Sequence, residues 1–169
     1  MVEAASEGIS VNQSSVRLTR DDVTDIEVDA FVYYAQSNLA IGTGFGTAIS
    51  VRGGPTIQKE LDQLAPVATG EAVVSDAGNL KAQYIIHAVG PKFQEEDTEA
   101  KLRKTVQSAL ERADEKEARR IAFPAMGAGY YGIAPDVSAR VMLETFKDYL
   151  SGETGIEELI ICVLDTPQY

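Results

Sequence analysis

Five short apolar runs, rich in β-branched and aromatic residues, punctuate this chain and restrict its fold class more than any other feature. They are Val28–Tyr34 (VDAFVYY), Ala72–Val74, Tyr84–Val89 (YIIHAV), Ile121–Phe123 and Leu159–Leu164 (LIICVL). Nearly continuous apolar character in runs this short marks strands covered on both faces, and places Val28–Tyr34 near the centre of a sheet. Helical periodicity fills the intervals. Leu102, Val106, Ala109, Leu110 and Ala113 share one face, as do Ala139, Met142, Phe146, Tyr149 and Leu150. Asp97 or Thr98 is expected to cap the first of these helices, and Pro135 with Asp136 opens the second. Shorter helices are expected over Thr47–Val51 and Thr56–Leu64. Strands alternating with helices imply a layered α/β domain with a largely parallel sheet, to which Ser14–Thr19 is expected to add an antiparallel edge strand. A chain of 169 residues without an internal repeat or linker reads as one domain. Residues 1–13 are expected to form a flexible N-terminal segment, and the turn at Ser151–Gly155 is the other loose part.

Composition narrows the chemistry. The single cysteine, Cys162, excludes an intrachain disulfide and a cysteine cluster for zinc, and the single histidine, His87, excludes a multi-histidine metal site. Neither a metal nor a cofactor is expected. Fifteen basic residues against 26 acidic ones give a formal charge of −11, which opposes direct binding to a polynucleotide. No apolar run approaches the roughly 18 residues of a membrane span, and Met1–Ser10 lacks the pattern of a signal peptide. A cytoplasmic protein with no membrane contact is the expectation. Any anion bound here must be held by local dipoles.

Two glycine-rich loops could supply such dipoles. Ile41-Gly42-Thr43-Gly44-Phe45-Gly46 follows a buried strand and precedes a helix, where exposed amides and the positive helix end favour anions. Gly127-Ala128-Gly129-Tyr130-Tyr131-Gly132 occupies the same kind of position later in the chain. In an open α/β sheet ligands collect beyond the carboxyl ends of the strands, so the two loops could flank one diphosphate. The second loop also matches GxGxxG, which raises a nicotinamide-dependent oxidoreductase as a competing reading. Only one clear strand follows that motif, whereas a dinucleotide-binding half needs a βαβαβ unit. The first loop lacks the Lys-Ser or Lys-Thr of a nucleotide-hydrolysing P-loop.

Over most of residues 15–165 the chain resembles the macro domains, which bind ADP-ribose and its derivatives. The resemblance rests on Asp22-Val23-Thr24, Val28-Asp29-Ala30-Phe31-Val32, Ile86-His87-Ala88-Val89-Gly90-Pro91, and Ile121-Ala122-Phe123-Pro124 followed by the second glycine loop. It implies a three-layer α/β/α sandwich around a mixed, mostly parallel sheet, with residues 14–169 as one macro-like domain. It also implies that Asp22 accepts from the adenine amino group with the Val23 backbone nearby. Gly44, Phe45 and Gly46 would then form one side of a diphosphate site, and Gly127, Ala128, Gly129, Tyr130 and Tyr131 the other, with Tyr131 packing on the distal ribose.

The chain departs from the family's hydrolases at two places. Tyr33-Tyr34-Ala35-Gln36 stands where they carry Asn-Ala-Ala-Asn, and Gly46 stands where an aspartate is usual. The resemblance therefore implies binding of ADP-ribose, a related nucleotide or an ADP-ribosylated protein. Cleavage of an ADP-ribose ester or processing of an ADP-ribose metabolite, with Gln36 as the one candidate catalytic residue, is the alternative. His87 inside an apolar strand and Cys162 among aliphatic residues read as structural. Gln94-Glu95-Glu96, similar to the acidic signature of poly-ADP-ribose glycohydrolases, follows Gly90-Pro91 and reads as a solvated loop.

Overall fold

A computed structural model describes residues 8–41, 46–92, 94–128 and 132–163. Among these, β1 (Gly8–Val11), β2 (Ser14–Thr19), β3 (Ala30–Ala35), β4 (Ala72–Asp76), β5 (Tyr84–Val89), β6 (Arg120–Pro124) and β7 (Glu158–Cys162) form one sheet in the order β1-β2-β7-β6-β3-β5-β4. Helices α1 (Gly46–Gly53), α2 (Thr56–Leu64), α3 (Thr98–Glu115) and α4 (Pro135–Leu150) cover it. The five strands β2, β7, β6, β3 and β5 run parallel, and only β1 and β4 at the margins are antiparallel to their neighbours. The result is the expected mixed, mostly parallel three-layer sandwich.

All six residues of β3 are buried, as its apolar run requires. Successive side chains alternate between the two cores. Phe31, Tyr33 and Ala35 pack with Ile49, Ile57 and Leu61 of α1 and α2. Ala30, Val32 and Tyr34 face the opposite layer, where α3 and α4 contribute Leu102, Val106, Leu110, Met142 and Phe146. Each large side chain buried here contributes about 1.5–3 kcal/mol relative to exposure, and Phe123 and Phe146 add a ring contact with centroids 4.9 Å apart.

Several local expectations need correction. Ser14–Thr19 is not the antiparallel edge: it pairs in parallel with β7, and Gly8–Val11, within the segment expected to be flexible, forms the edge strand. Asn12, at φ 55°, turns the chain between β1 and β2, and its side chain donates to the Leu150 carbonyl at 2.9 Å. Asp97 precedes α3 in a left-handed conformation and makes no capping bond with its side chain. On α4 it is Ser138, not Ala139, that turns inward, because its hydroxyl is satisfied by the Met126 carbonyl at 2.7 Å. The turn at Ser151–Gly155 is tied down by Asp114, whose carboxylate accepts from Tyr149, Thr154 and the Gly155 amide.

Candidate functional site

Because the five parallel strands share one direction, their carboxyl ends at Thr19, Ala35, Val89, Pro124 and Cys162 lie on one side of the sheet. The residues that leave these ends include Asp22, Val23, Gln36 and the Gly127–Ala128 segment. At this side the sheet also parts. β3 pairs with β5 at six positions but with β6 at only two, Ala30 with Ile121 and Phe31 with Ala122. Beyond Phe31 the ladder between β3 and β6 stops, so the sheet parts between the carboxyl halves of these two strands. The chain order reverses at that point: β3 leads through α1 and α2 towards β4 and β5, whereas β6 leads through α4 to β7. Crevices of this kind are where ligands of open α/β sheets bind.

On one flank of the opening, Gln36 follows β3 with an exposed side chain, and its carbonyl accepts from the Leu39 amide at 2.9 Å. Ile41 is fixed from two directions: its amide donates to Gln58 Oε1 at 3.0 Å, and its carbonyl accepts from Ser50 Oγ at 2.9 Å. Gly44 and Phe45 lie outside the described residues. Gly46 begins α1, and a Cβ placed on it would stand 2.7 Å from the Tyr33 hydroxyl and 2.8 Å from the Ile41 carbonyl oxygen. Only a residue without a side chain fits there. Tyr33 and Tyr34 are both core residues on opposite faces of the sheet, with Tyr34 donating to the Pro91 carbonyl.

The other flank is the second loop. Gly127 has φ +75°, and a Cβ on it would lie 2.2 Å from Ile133 Cδ1. The Ile133 amide donates to the Gly127 carbonyl at 3.0 Å, closing the base of the loop, and Ala128 bridges to Ile133. Ser138 of α4 holds the Met126 carbonyl just before it. Gly129, Tyr130 and Tyr131 lie outside the described residues.

Asp22 sits in a closed network. Its Oδ1 accepts from the Thr24 amide at 2.9 Å and the Thr24 hydroxyl at 2.7 Å, and its Oδ2 accepts from Arg52 Nη2 at 3.1 Å. Arg52 Nη1 also donates to Thr24 Oγ1 at 3.0 Å. Burial pushes the Asp22 carboxyl up, but the two Thr24 bonds and the guanidinium outweigh it and hold the group below the usual carboxylate range. Arg52 is the residue the sequence reading missed. It is a lone base in the last turn of a short helix, thirty positions from its partner, and nothing in the local pattern joins the two.

The remaining reactive side chains are placed for structure. His87 is fully buried; its Nε2 is hydrogen-bonded to Ser75 Oγ at 2.8 Å, and that hydroxyl also lies 3.0 Å from the Asp76 carbonyl oxygen. Burial lowers its pKa to about 3. Burial likewise raises the Cys162 thiol to about 12, with Asp21 and Asp22 adding to the effect against Arg17. Glu95 is engaged within its own loop, accepting from the Lys92 amide at 3.0 Å and pairing with Lys101 at 2.6 Å. Among the described residues no group of His, Cys, Asp or Glu could hold a metal ion, and no helix is long and apolar enough to cross a membrane.

Comparison with known proteins agrees with this fold. A protein of Sulfolobus acidocaldarius is 42% identical over 142 residues, covering 82% of this chain and 78% of the relative. A macro domain-containing protein of Caldanaerobacter subterraneus is 38% identical over 163 residues, covering 93% of each. Among solved structures, a mutant Oceanobacillus iheyensis macrodomain with ADPR (ADP-ribose) superposes with a TM-score of 0.85 at 25% identity, over 93% of this chain and 90% of the other. The Macro domain model itself matches residues 32–142, from within β3 to the middle of α4, and on that match and these relatives the chain belongs to the macro domain family.

Proposed function

We propose that this protein binds ADP-ribose, or a derivative of it free or attached to a protein, in the opening between β3 and β6. The observation that carries the reading is the early end of the β3–β6 ladder, flanked by Gly46 at the start of α1 and by the closed Gly127–Ile133 loop. The macrodomain solved with ADPR supports the choice of ligand. In this reading Asp22 accepts from the adenine amine and the Val23 backbone lies beside the base. The diphosphate rests on main-chain amides of the two loops, Gly44–Gly46 and Gly127–Tyr131, Gln36 borders the ligand, and Tyr131 packs on the distal ribose. Short-range amide donors and the positive ends of α1 and α4 must do this work, because a net charge of −11 opposes a diphosphate at long range. Binding without turnover is the role we assign. Gly46 offers no side chain to orient water, and its surroundings leave no space for one.

Calorimetric titration tests this directly. ADP-ribose should bind more tightly than AMP or ribose 5-phosphate, since both loops and the carboxylate act on one molecule. Asp22→Ala should weaken ADP-ribose by on the order of 1.5–3 kcal/mol, the contribution of a hydrogen bond to a charged group. Equal affinities for all three ligands would remove the two-loop site, and a normal Asp22→Ala variant would remove the base placement.

A further inference from the structure

The carboxylate given the task of reading the base is not a free side chain. Among the described residues, Oδ1 of Asp22 is occupied by two donors from Thr24, whose own side chain is buried, and Oδ2 has one donor, Arg52 Nη2. A carboxylate oxygen accepts more than one hydrogen bond, so Oδ2 keeps capacity for an incoming amine while Oδ1 does not. The Arg52 fork grips both partners of this unit, Asp22 through Nη2 and Thr24 through Nη1. Three bonds to the Asp22 carboxylate fix which oxygen faces outward and stop rotation of the group. Asp22 and Arg52 are about one-third and one-half exposed, respectively, so the pair stands at the surface where a base can reach it.

We infer that Arg52 is a positioning residue for base recognition, acting through Asp22 by presenting Oδ2 in a fixed direction to an exocyclic amine. The inference rests on the placement of the base at Asp22 proposed above. It goes further in assigning selectivity for a 6-amino purine to a three-residue unit, Asp22, Thr24 and Arg52, that spans two separate elements. A purely structural role would look different. Arg52 lies in the last turn of the helix that begins at Gly46, so a residue that merely held α1 in place would affect every ligand of the anion loop alike.

The experiment uses the whole chain, with ADP-ribose and its analogue carrying unsubstituted purine in place of adenine as probes. Arg52→Met, which keeps the apolar stem, should weaken ADP-ribose about three- to tenfold, the range for removing one member of a coupled network. It should leave the analogue, which has no amine for Oδ2, unchanged. In an Asp22→Ala background the same substitution should have no further effect on ADP-ribose. Arg52→Lys should recover part of the loss, because it restores the charge without the fork. The acid limit of ADP-ribose binding should move to higher pH in Arg52→Met, since Asp22 loses the cation that favours its ionised form. A thermal melt of each variant checks that the fold persists. Equal losses for both probes, no loss for either, or a full loss remaining in the Asp22→Ala background each overturn the inference while leaving ADP-ribose binding intact. A parent protein that binds neither probe overturns both it and the proposed function.

Discussion

Lowering the pH from about 7.5 to about 5 should destabilise this protein through one imidazole. His87 is fully buried, and desolvation lowers its pKa from 6.5 to about 3. The unfolded chain therefore binds a proton below pH 6.5 that the folded chain refuses until about pH 3. Stability is complete above the upper value and declines as pH falls towards the lower one. At about 1.4 kcal/mol per pH unit, the stretch from 6.5 to 5 removes about 2 kcal/mol, equivalent to a melting temperature lower by about 4–8 °C in a domain of this size. The chain stays anionic over that interval, with a pI near 4.5. His87→Gln removes the titration while retaining an amide that can donate to Ser75 Oγ. Carboxylates such as Asp22 also lose stabilisation in acid, but they do so equally in parent and variant. The measurement is denaturant unfolding of both proteins at both pH values. The parent should lose about 2 kcal/mol more than the variant. Equal losses would mean that the imidazole is reached by water or charged in place, and the burial argument would fail.

The glycine positions make sharper local predictions. Gly127→Ala should destabilise by about 1–3 kcal/mol, because the new methyl meets Ile133 Cδ1 and the φ of +75° strains any residue with a Cβ; a melt indistinguishable from the parent would refute the loop geometry. Gly46→Ala should lower both stability and ADP-ribose affinity, read by melt and titration, since its methyl collides with the Tyr33 hydroxyl and the Ile41 backbone. Lys81→Ala and Lys92→Ala should leave ADP-ribose affinity within about twofold of the parent by titration, because backbone donors carry the anion subsite. Loss of binding in either lysine variant would transfer that role to a side chain.

The layers were legible because burial on both faces writes itself into composition. VDAFVYY and YIIHAV read as interior strands, and both are flanked by strands on each side in the sheet, β3 between β6 and β5 and β5 between β3 and β4. Pairing direction was harder to read. Alternation in Ser14–Thr19 reports which face is covered, not which neighbour is hydrogen-bonded, so its parallel partner β7 was invisible from 143 residues away in the chain. Ser138 shows a related failure: an apolar count prefers Ala139 for the inner face, but a hydroxyl with a buried carbonyl to satisfy can outrank a methyl. Asp22 was legible as a candidate, through the Asp-Val-Thr element it begins. Its guanidinium partner was not, because the contact exists only once α1 is laid beside the end of β2.

The parting of β3 from β6 after Phe31 has a consequence for the cost of binding. Both strands are held by their other neighbours, β3 along its full length by β5 and β6 by β7, so no hydrogen bond of the sheet has to break to admit a guest. The floor of the proposed site is assembled by folding itself, at a point where two core layers take successive connections to opposite sides. Ordering losses on association are then confined to the loops and to the ligand, and the free energy of docking is not drained by rebuilding a framework. Such a floor should protect its amides from hydrogen exchange equally well with the ligand absent, and exchange differences on binding should be confined to the rim.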